Sequence, residues 1–201
     1  MAQPNALPIY ALDFPVRVRV ATRLSDDELF DLCVQNRELR IERTKEGELI
    51  IASPIGSEAG RRNFQLIVAL GVWAARDGTG VGFDSSTGFL LPNGAERSPD
   101  AAWVRRERWE ALTPEQRHKF APLCPDFVVE LRSPSDSLAE LHAKMQEYVE
   151  CGARLAWLID VDDGRAWVYR PGRHVESIEN AKAISGEPEL PGFVLELSAL
   201  A

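Results

Sequence analysis

Phe127-Val128-Val129-Glu130-Leu131 is the stretch whose reading decides the fold of this chain. Four of its five side chains are apolar, the mark of a central strand covered on both faces. The fifth is a carboxylate. Burying an unpaired carboxylate costs several kcal/mol, so a cation or a hydrogen-bond donor is expected beside Glu130. A strand-end acid facing solvent, or a plain ion pair to an arginine, is the competing reading. Ionisable groups in buried strands mark functional sites often enough to favour the first.

Downstream of this run, Arg132 to Asp136 reads as a turn. Ser137 with Glu140 matches a capping box that opens a helix ending at Gly152. Leu155 to Ile159 is a second buried strand, and Trp167 to Tyr169 pairs with it across the Asp162-Asp163-Gly164 turn. Pro191 to Leu200 closes the chain as a last strand or short helix. Upstream, Val81 to Asp84, Gly88 to Leu91 and Ala101 to Val104 are strands set between Gly, Pro and Asn turns. Arg105 to Lys119 is a charged peripheral insertion, with a helix start at Thr113-Pro114-Glu115-Gln116.

A long helix is expected from Ser57 to about Arg76. Apolar residues lie on nearly every side of its centre, so it is expected to be buried; Asp77-Gly78 ends it. Before it, Leu39 to Glu42 and Glu48 to Ala52 form a hairpin turned at Lys45-Glu46-Gly47, and Ser25 with Glu28 caps a helix running to about Asn36. Residues 1–23, with Pro4, Pro8 and Pro15, read as an extended arm, and 24–201 as one domain. The class is α/β (α+β): one mixed central sheet flanked by helices, with an N-terminal helix and hairpin added.

Acids outnumber bases 31 to 23 in the 201 residues, a formal charge of −8. That excludes a protein whose whole surface is a basic nucleic-acid footprint, though not a local groove or a site where a metal supplies the positive charge. Cys33, Cys124 and Cys151 are widely spaced and form no CxxC pair, which argues against a disulfide framework or a cysteine zinc site and suits a reducing cytoplasm. The start of the chain lacks the pattern of a signal peptide, and Phe64 to Ala75 is too short an apolar stretch to cross a bilayer.

Asp100 follows Ser98-Pro99, whose proline fixes the backbone at the mouth of the next strand. Alone it is a turn residue; with Glu130 on a neighbouring strand it makes the carboxylate pair that a hard divalent cation takes. Lys144 lies at the edge of the apolar arc Leu138, Leu141, Met145, Tyr148 and Val149, where it either snorkels to solvent or reaches inward toward Glu130. Arg132 shares the strand face of Glu130 and suits charge stabilisation better than proton transfer. Glu58, in the first turn of the long helix, is either a third oxygen ligand or an acid favoured there by the helix dipole. Gly78-Thr79-Gly80-Val81-Gly82 lacks the strand and helix of a phosphate loop and reads as a turn, and His118, His142 and His174 lack ligand spacing.

Ser98-Pro99-Asp100, Val129-Glu130-Leu131-Arg132-Ser133-Pro134-Ser135-Asp136 and Lys144-Met145-Gln146-Glu147-Tyr148 together resemble the PD-(D/E)XK nuclease superfamily, and within it the bacterial restriction-endonuclease-like Uma-two group. Gly88 to Gly94, Trp157 to Asp160 and Leu190 to Phe193 extend the resemblance, which runs from about Leu24 to Leu197. It implies a restriction-endonuclease-like core and a Mg²⁺- or Mn²⁺-dependent endonuclease acting on DNA. Asp100 and Glu130 become the two acids, and the Leu131 backbone carbonyl joins them at the metal. The third motif position holds Arg132 instead of lysine, and the lysine is carried by the following helix as Lys144. Glu58 resembles an acid that some members supply from the first core helix, and Gln146 a helper residue.

DNA contact is expected from local arginines such as Arg61, Arg62, Arg105, Arg106 and Arg108, and is expected to be weak and salt-dependent. A homodimer is expected through apolar arm residues such as Ile9, Tyr10 and Phe14. The alternatives are a catalytically inert binding module on the same fold, or a hydrolase of another phosphodiester such as RNA.

Overall fold

The computed structural model describes residues 15–52 and 54–201. Its centre is a six-stranded sheet of order β11-β10-β9-β8-β7-β4, where β4 is Gly80–Asp84, β7 Ala101–Arg105, β8 Phe127–Leu131, β9 Leu155–Asp160, β10 Arg165–Tyr169 and β11 Glu176–Glu179. Only β8 and β9 run parallel, and a parallel pair needs a crossover between its strands. Helix α5 (Leu138–Glu150) supplies it. The mixed sheet expected from the apolar runs is therefore present, with the Phe127–Leu131 run in its interior.

Strand alternation assigns the two faces of β8. Phe127 and Val129 point to one side, where they pack with Leu155, Trp157 and Ile159 of β9 and with Leu66, Leu70 and Ala74 of α2 (Ser57–Asp77). Trp157 is fully buried there, stacked on Phe193 at 5.5 Å and edge-on to Phe127 at 4.8 Å. Val128 points to the other side, with Ala156, Leu158 and the α5 residues Met145 and Tyr148. Glu130 has the parity of Val128, so it faces α5.

Two expectations about the helices need correction. Helix α2 has its predicted length and ends at Gly78, which takes a φ of 70° suited to glycine. It is not buried all round: Phe64, Val68 and Val72 stand exposed along one side. The apolar pattern alone cannot tell a buried helix from one whose outward face is also apolar. At α5 only half of the capping box forms. The Ser137 hydroxyl accepts from the Glu140 amide, while the Glu140 carboxylate turns to Arg17 at 2.8 Å.

The N-terminal elements form a second, antiparallel sheet of order β1-β3-β2-β6-β5, so the chain holds more than one sheet. These strands are β1 (Val16–Val18), β2 (Arg40–Arg43), β3 (Leu49–Ala52), β5 (Phe89–Leu90) and β6 (Glu96–Arg97). Helix α1 (Asp26–Gln35), with the predicted Ser25–Glu28 box, packs Leu29 against Ile41 and Leu49 on one face of this sheet. Arg40 and Glu42, either side of Ile41, point from the other face into the body of the molecule, where Glu42 reaches Lys144 of α5. The charged insertion holds two short helices, α3 (Arg106–Glu110) and α4 (Pro114–His118). The tail forms a two-stranded ribbon, β12 (Ala183–Ser185) with β13 (Val194–Glu196), then one 3-10 turn, Leu197–Ala199. Among the described residues no helix is long and apolar enough to cross a membrane. Ile9, Tyr10 and Phe14 lie outside the described residues.

Candidate active site

The β7–β8 ladder places the two predicted acids. Ala101 pairs with Val129, so the next step of the antiparallel register sets Asp100 opposite Glu130 on the α5 side of the sheet. Both are buried, at 8% and 4% exposure. Asp100 sits where β7 begins. Its Oδ2 accepts from the Leu131 amide at 2.8 Å, and its Oδ1 from Asn63 Nδ2 at 3.3 Å and Arg40 Nη1 at 3.2 Å. In an extended residue the N–H and C=O point to the same edge, so the Leu131 carbonyl is directed to the Asp100 side as well.

Lys144 reaches inward. One turn of α5 separates it from Tyr148, and both side chains meet the same oxygen: Lys144 Nζ lies 2.8 Å, and the Tyr148 hydroxyl 3.1 Å, from Glu130 Oε1. Lys144 Nζ also lies 2.9 Å from Glu42 Oε1. Glu42 accepts in addition from Arg97 Nη1 at 3.2 Å and from the Ser98 amide at 3.1 Å. Arg97 in turn holds Glu147 at 2.6 Å. Arg40 donates to the Ser98 carbonyl as well as to Asp100. The second sheet thus closes the site with a polar face.

Burial and charge pull these groups apart. Burial pushes the Glu130 carboxyl up to about 7, with Lys144 partly offsetting it and Asp100 adding to it. Burial also opposes ionisation of Glu42, yet Lys144, Arg97 and Arg40 outweigh it and hold its carboxyl at about 2. Lys144 is desolvated, but Glu130 and Glu42 more than compensate, and its ammonium is held above the usual lysine value. Lys144 is therefore a fixed positive charge and proton donor, unsuited to accept a proton near neutrality.

The remaining expected residues separate. Arg132 shares the Glu130 face but is drawn to the neighbouring strand, where its Nη1 pairs with Asp160 and lies 3.6 Å from Asp163. Glu58 lines the lip of the cleft, exposed, with its carboxylate held by Arg61 at 2.7 Å and Arg62 at 3.3 Å. Gln146 does not join the site: two residues past Lys144 it faces a neighbouring groove and bonds Glu150 at 3.1 Å. Arg105, Arg106 and Arg108 lie elsewhere, tied to Glu107, Glu110 and Asp126.

Sequence reasoning missed Arg40, Glu42, Asn63 and the role of Tyr148. The charges of Arg40-Ile41-Glu42-Arg43 look like the solvent face of a hairpin, and Tyr148 like part of an apolar arc. Period-2 alternation around Ile41 was the available signal, since the face opposite α1 can cover a site as well as meet water.

Asp100, Glu130, Lys144, Arg40 and Asn63 line one cleft of about 380 Å³. Six acidic and four basic side chains line it. Asn63 Oδ1 is buried without a hydrogen-bond partner beside Asp100. Among the described residues no group of three or more His, Cys, Asp or Glu is placed to hold a metal. The donor set fits a hard cation all the same: two carboxyl groups, an amide oxygen lacking a donor and a carbonyl directed to the same edge.

Behind the site lies a further acid. Glu96 is completely buried, accepts from Ser98 Oγ at 3.3 Å, and has no partner for Oε2. It presses so closely on Gly88 that a Cβ there would meet Glu96 Oε1 at 2.3 Å. Burial, and next the Glu42 charge, raise its carboxyl to about 8, so the folded protein holds it protonated at neutral pH. Its folded value exceeds the unfolded one, so this contribution to stability is complete below about 4.5 and is lost as pH rises through about 8. Glu96→Gln is expected to flatten the decline in stability between pH 6 and 9, with a gain of a few kcal/mol at the alkaline end. Urea unfolding across that range checks this, and parallel curves for the two proteins would remove the argument.

Comparison with known proteins follows the same lines. Among curated proteins no relative matches. The crystal structure of a protein from Anabaena variabilis, titled "a putative nuclease belonging to DUF820", superposes with a TM-score of 0.71 over 88% of this chain and 97% of that one. The two are 18% identical, so the likeness is one of fold. The model of the Uma2 family, described as "Putative restriction endonuclease", matches residues 26–198, from the first residue of α1 to the closing turn, and the chain belongs to that family.

Proposed function

We propose that this protein is a divalent-cation-dependent endonuclease that hydrolyses phosphodiester bonds in DNA. The observation that carries the reading is the buried pair Asp100 and Glu130, on adjacent strands, with the Lys144 ammonium 2.8 Å from Glu130 at one cleft. Asp100, Glu130 and the Leu131 carbonyl would hold Mg²⁺ or Mn²⁺, with Asn63 Oδ1 as a further oxygen. The bound cation supplies positive charge to the phosphate and acidifies water.

The chain's own groups do the rest. Lys144, kept protonated between Glu130 and Glu42, orients a water or donates to the departing oxygen. Arg40, paired with Asp100 at 3.2 Å, holds that carboxylate in place and presents a guanidinium to a phosphate in the cleft. Tyr148 and the Leu131 amide fix the rotamers of Glu130 and Asp100. Glu58, occupied by Arg61 and Arg62, has no part in this scheme.

Calorimetry with Mg²⁺ and Mn²⁺, with and without duplex, tests the reading, together with a plasmid-nicking assay. The wild type is expected to bind the cation and nick the plasmid, and Asp100→Asn/Glu130→Gln to do neither. A wild type that binds no cation under either condition would leave the fold as an inert binding module. Cleavage of RNA in preference to DNA would keep the site and change its substrate.

A further inference from the structure

We infer that Arg62 and Arg132 form a second phosphate-binding site in the same cleft, and that carboxylates of the β9–β10 turn occupy it until a nucleic-acid strand displaces them. The inference rests on the proposed nuclease function and adds where a flanking phosphate of the strand is held.

Both arginines line the cleft. Arg132 stands two residues beyond Glu130, just past the end of β8 and with the same side-chain parity. Arg62 comes from the first turns of α2, one residue before Asn63. Each guanidinium meets an anion of the turn: Arg62 Nη2 lies 2.6 Å from Asp162, and Arg132 Nη1 lies 3.6 Å from Asp163.

The two sides of these pairs differ in burial. The arginine side chains are 17% and 24% exposed, whereas Asp162, Asp163 and Glu58 are 50%, 62% and 60% exposed. The cations are thus held in place and their partners are free to leave. Pairs with one exposed member contribute little to stability, so an incoming anion displaces the carboxylates at small cost.

Donor capacity is left over. Nε of Arg62 lies 3.3 Å from Glu58, and among the described residues nothing accepts from Nη1 of Arg62 or Nη2 of Arg132. A guanidinium that uses part of its fork on an exposed carboxylate is suited to receive the oxygens of a phosphodiester. Asp160 is the exception among the anions: it is buried beside Arg132 and stays as its anchor.

The test is fluorescence anisotropy of a labelled duplex in EDTA, read as log K against log salt, which needs no turnover. Arg62→Gln is expected to make the slope shallower by about 1, one phosphate contact. Arg132→Gln combined with Asp160→Asn, so that no buried charge is orphaned, is expected to do the same. Asp162→Asn/Asp163→Asn, on an exposed turn, is expected to tighten binding several-fold without steepening the thermal transition. A wild-type slope in both arginine variants overturns the inference, as does unchanged affinity in the aspartate variant. A wild type that binds no duplex even at low salt speaks instead against DNA as the substrate.

Discussion

Glu130→Gln is expected to lower cation-dependent cleavage by about 10³-fold or more, the scale of losing a group that sets charge at the reacting centre, while the fold stays intact. Glutamine fills the same space and can accept from the Tyr148 hydroxyl, now 3.1 Å from Oε1. Lys144 keeps its second carboxylate, Glu42, at 2.9 Å. The substitution also removes a carboxyl that burial already pushes up to about 7. Its stability cost is therefore expected to stay within about 1 kcal/mol, the ordinary range for exchanging one hydrogen-bonded group for another.

Asp100→Asn is the less informative variant. Asp100 accepts on both oxygens, from Asn63 and Arg40 at Oδ1 and from the Leu131 amide at Oδ2. Asparagine has one oxygen to offer, and its amide would confront a donor, so activity and stability would fall together. Thermal melts beside a nicking assay separate the two cases. If Glu130→Gln cleaves within tenfold of the wild type, Glu130 is not at the reacting centre.

How far the sequence foretells this site follows from which contacts are local. Phe127–Leu131 announces itself because five consecutive residues carry both the burial pattern and the anomaly. Lys144 could be placed on the correct edge of α5 because helical periodicity orders residues along one element. Arg40 is 60 residues from Asp100 and Glu42 is 56 residues from the Ser98 amide, and nothing in the hairpin's own pattern says which of its two faces meets water. Arg132 shows the same limit. Its face was readable, but the pull of Asp160 depends on the parallel register that sets Leu131 beside Ile159. The exposed row Phe64, Val68 and Val72 is the converse case, where composition suggests a burial that the packing of α2 does not provide.

Lys144→Met carries the largest expected effect on stability. The ammonium lies within 2.9 Å of two buried carboxylates, Glu42 and Glu130, and methionine matches its length without its charge. Removing one member of a buried ionic cluster leaves the others uncompensated, at a cost of about 3–5 kcal/mol. The pH dependence identifies the cause. In the wild type Glu42 titrates at about 2, so its stabilising charge is present above the unfolded value and lost only as pH falls toward 2. Without Lys144, the Glu130 carboxyl loses the main cation that offsets its burial, while Glu42 keeps Arg97 and Arg40. Glu130 then favours folding only when protonated, so the deficit of the variant is expected to be large at pH 8 and to shrink toward pH 5. Adding Glu42→Gln or Glu130→Gln to Lys144→Met is expected to restore part of the loss, because the second substitution removes a charge the first had orphaned. A double-mutant cycle in urea at pH 5, 7 and 8 measures this coupling. Additive effects within about 0.5 kcal/mol would mean that Lys144 acts through packing alone. Strong coupling would mean that the lysine assigned to the water or the departing oxygen is also what allows these carboxylates to be buried together, so that its loss cannot be interpreted from activity alone.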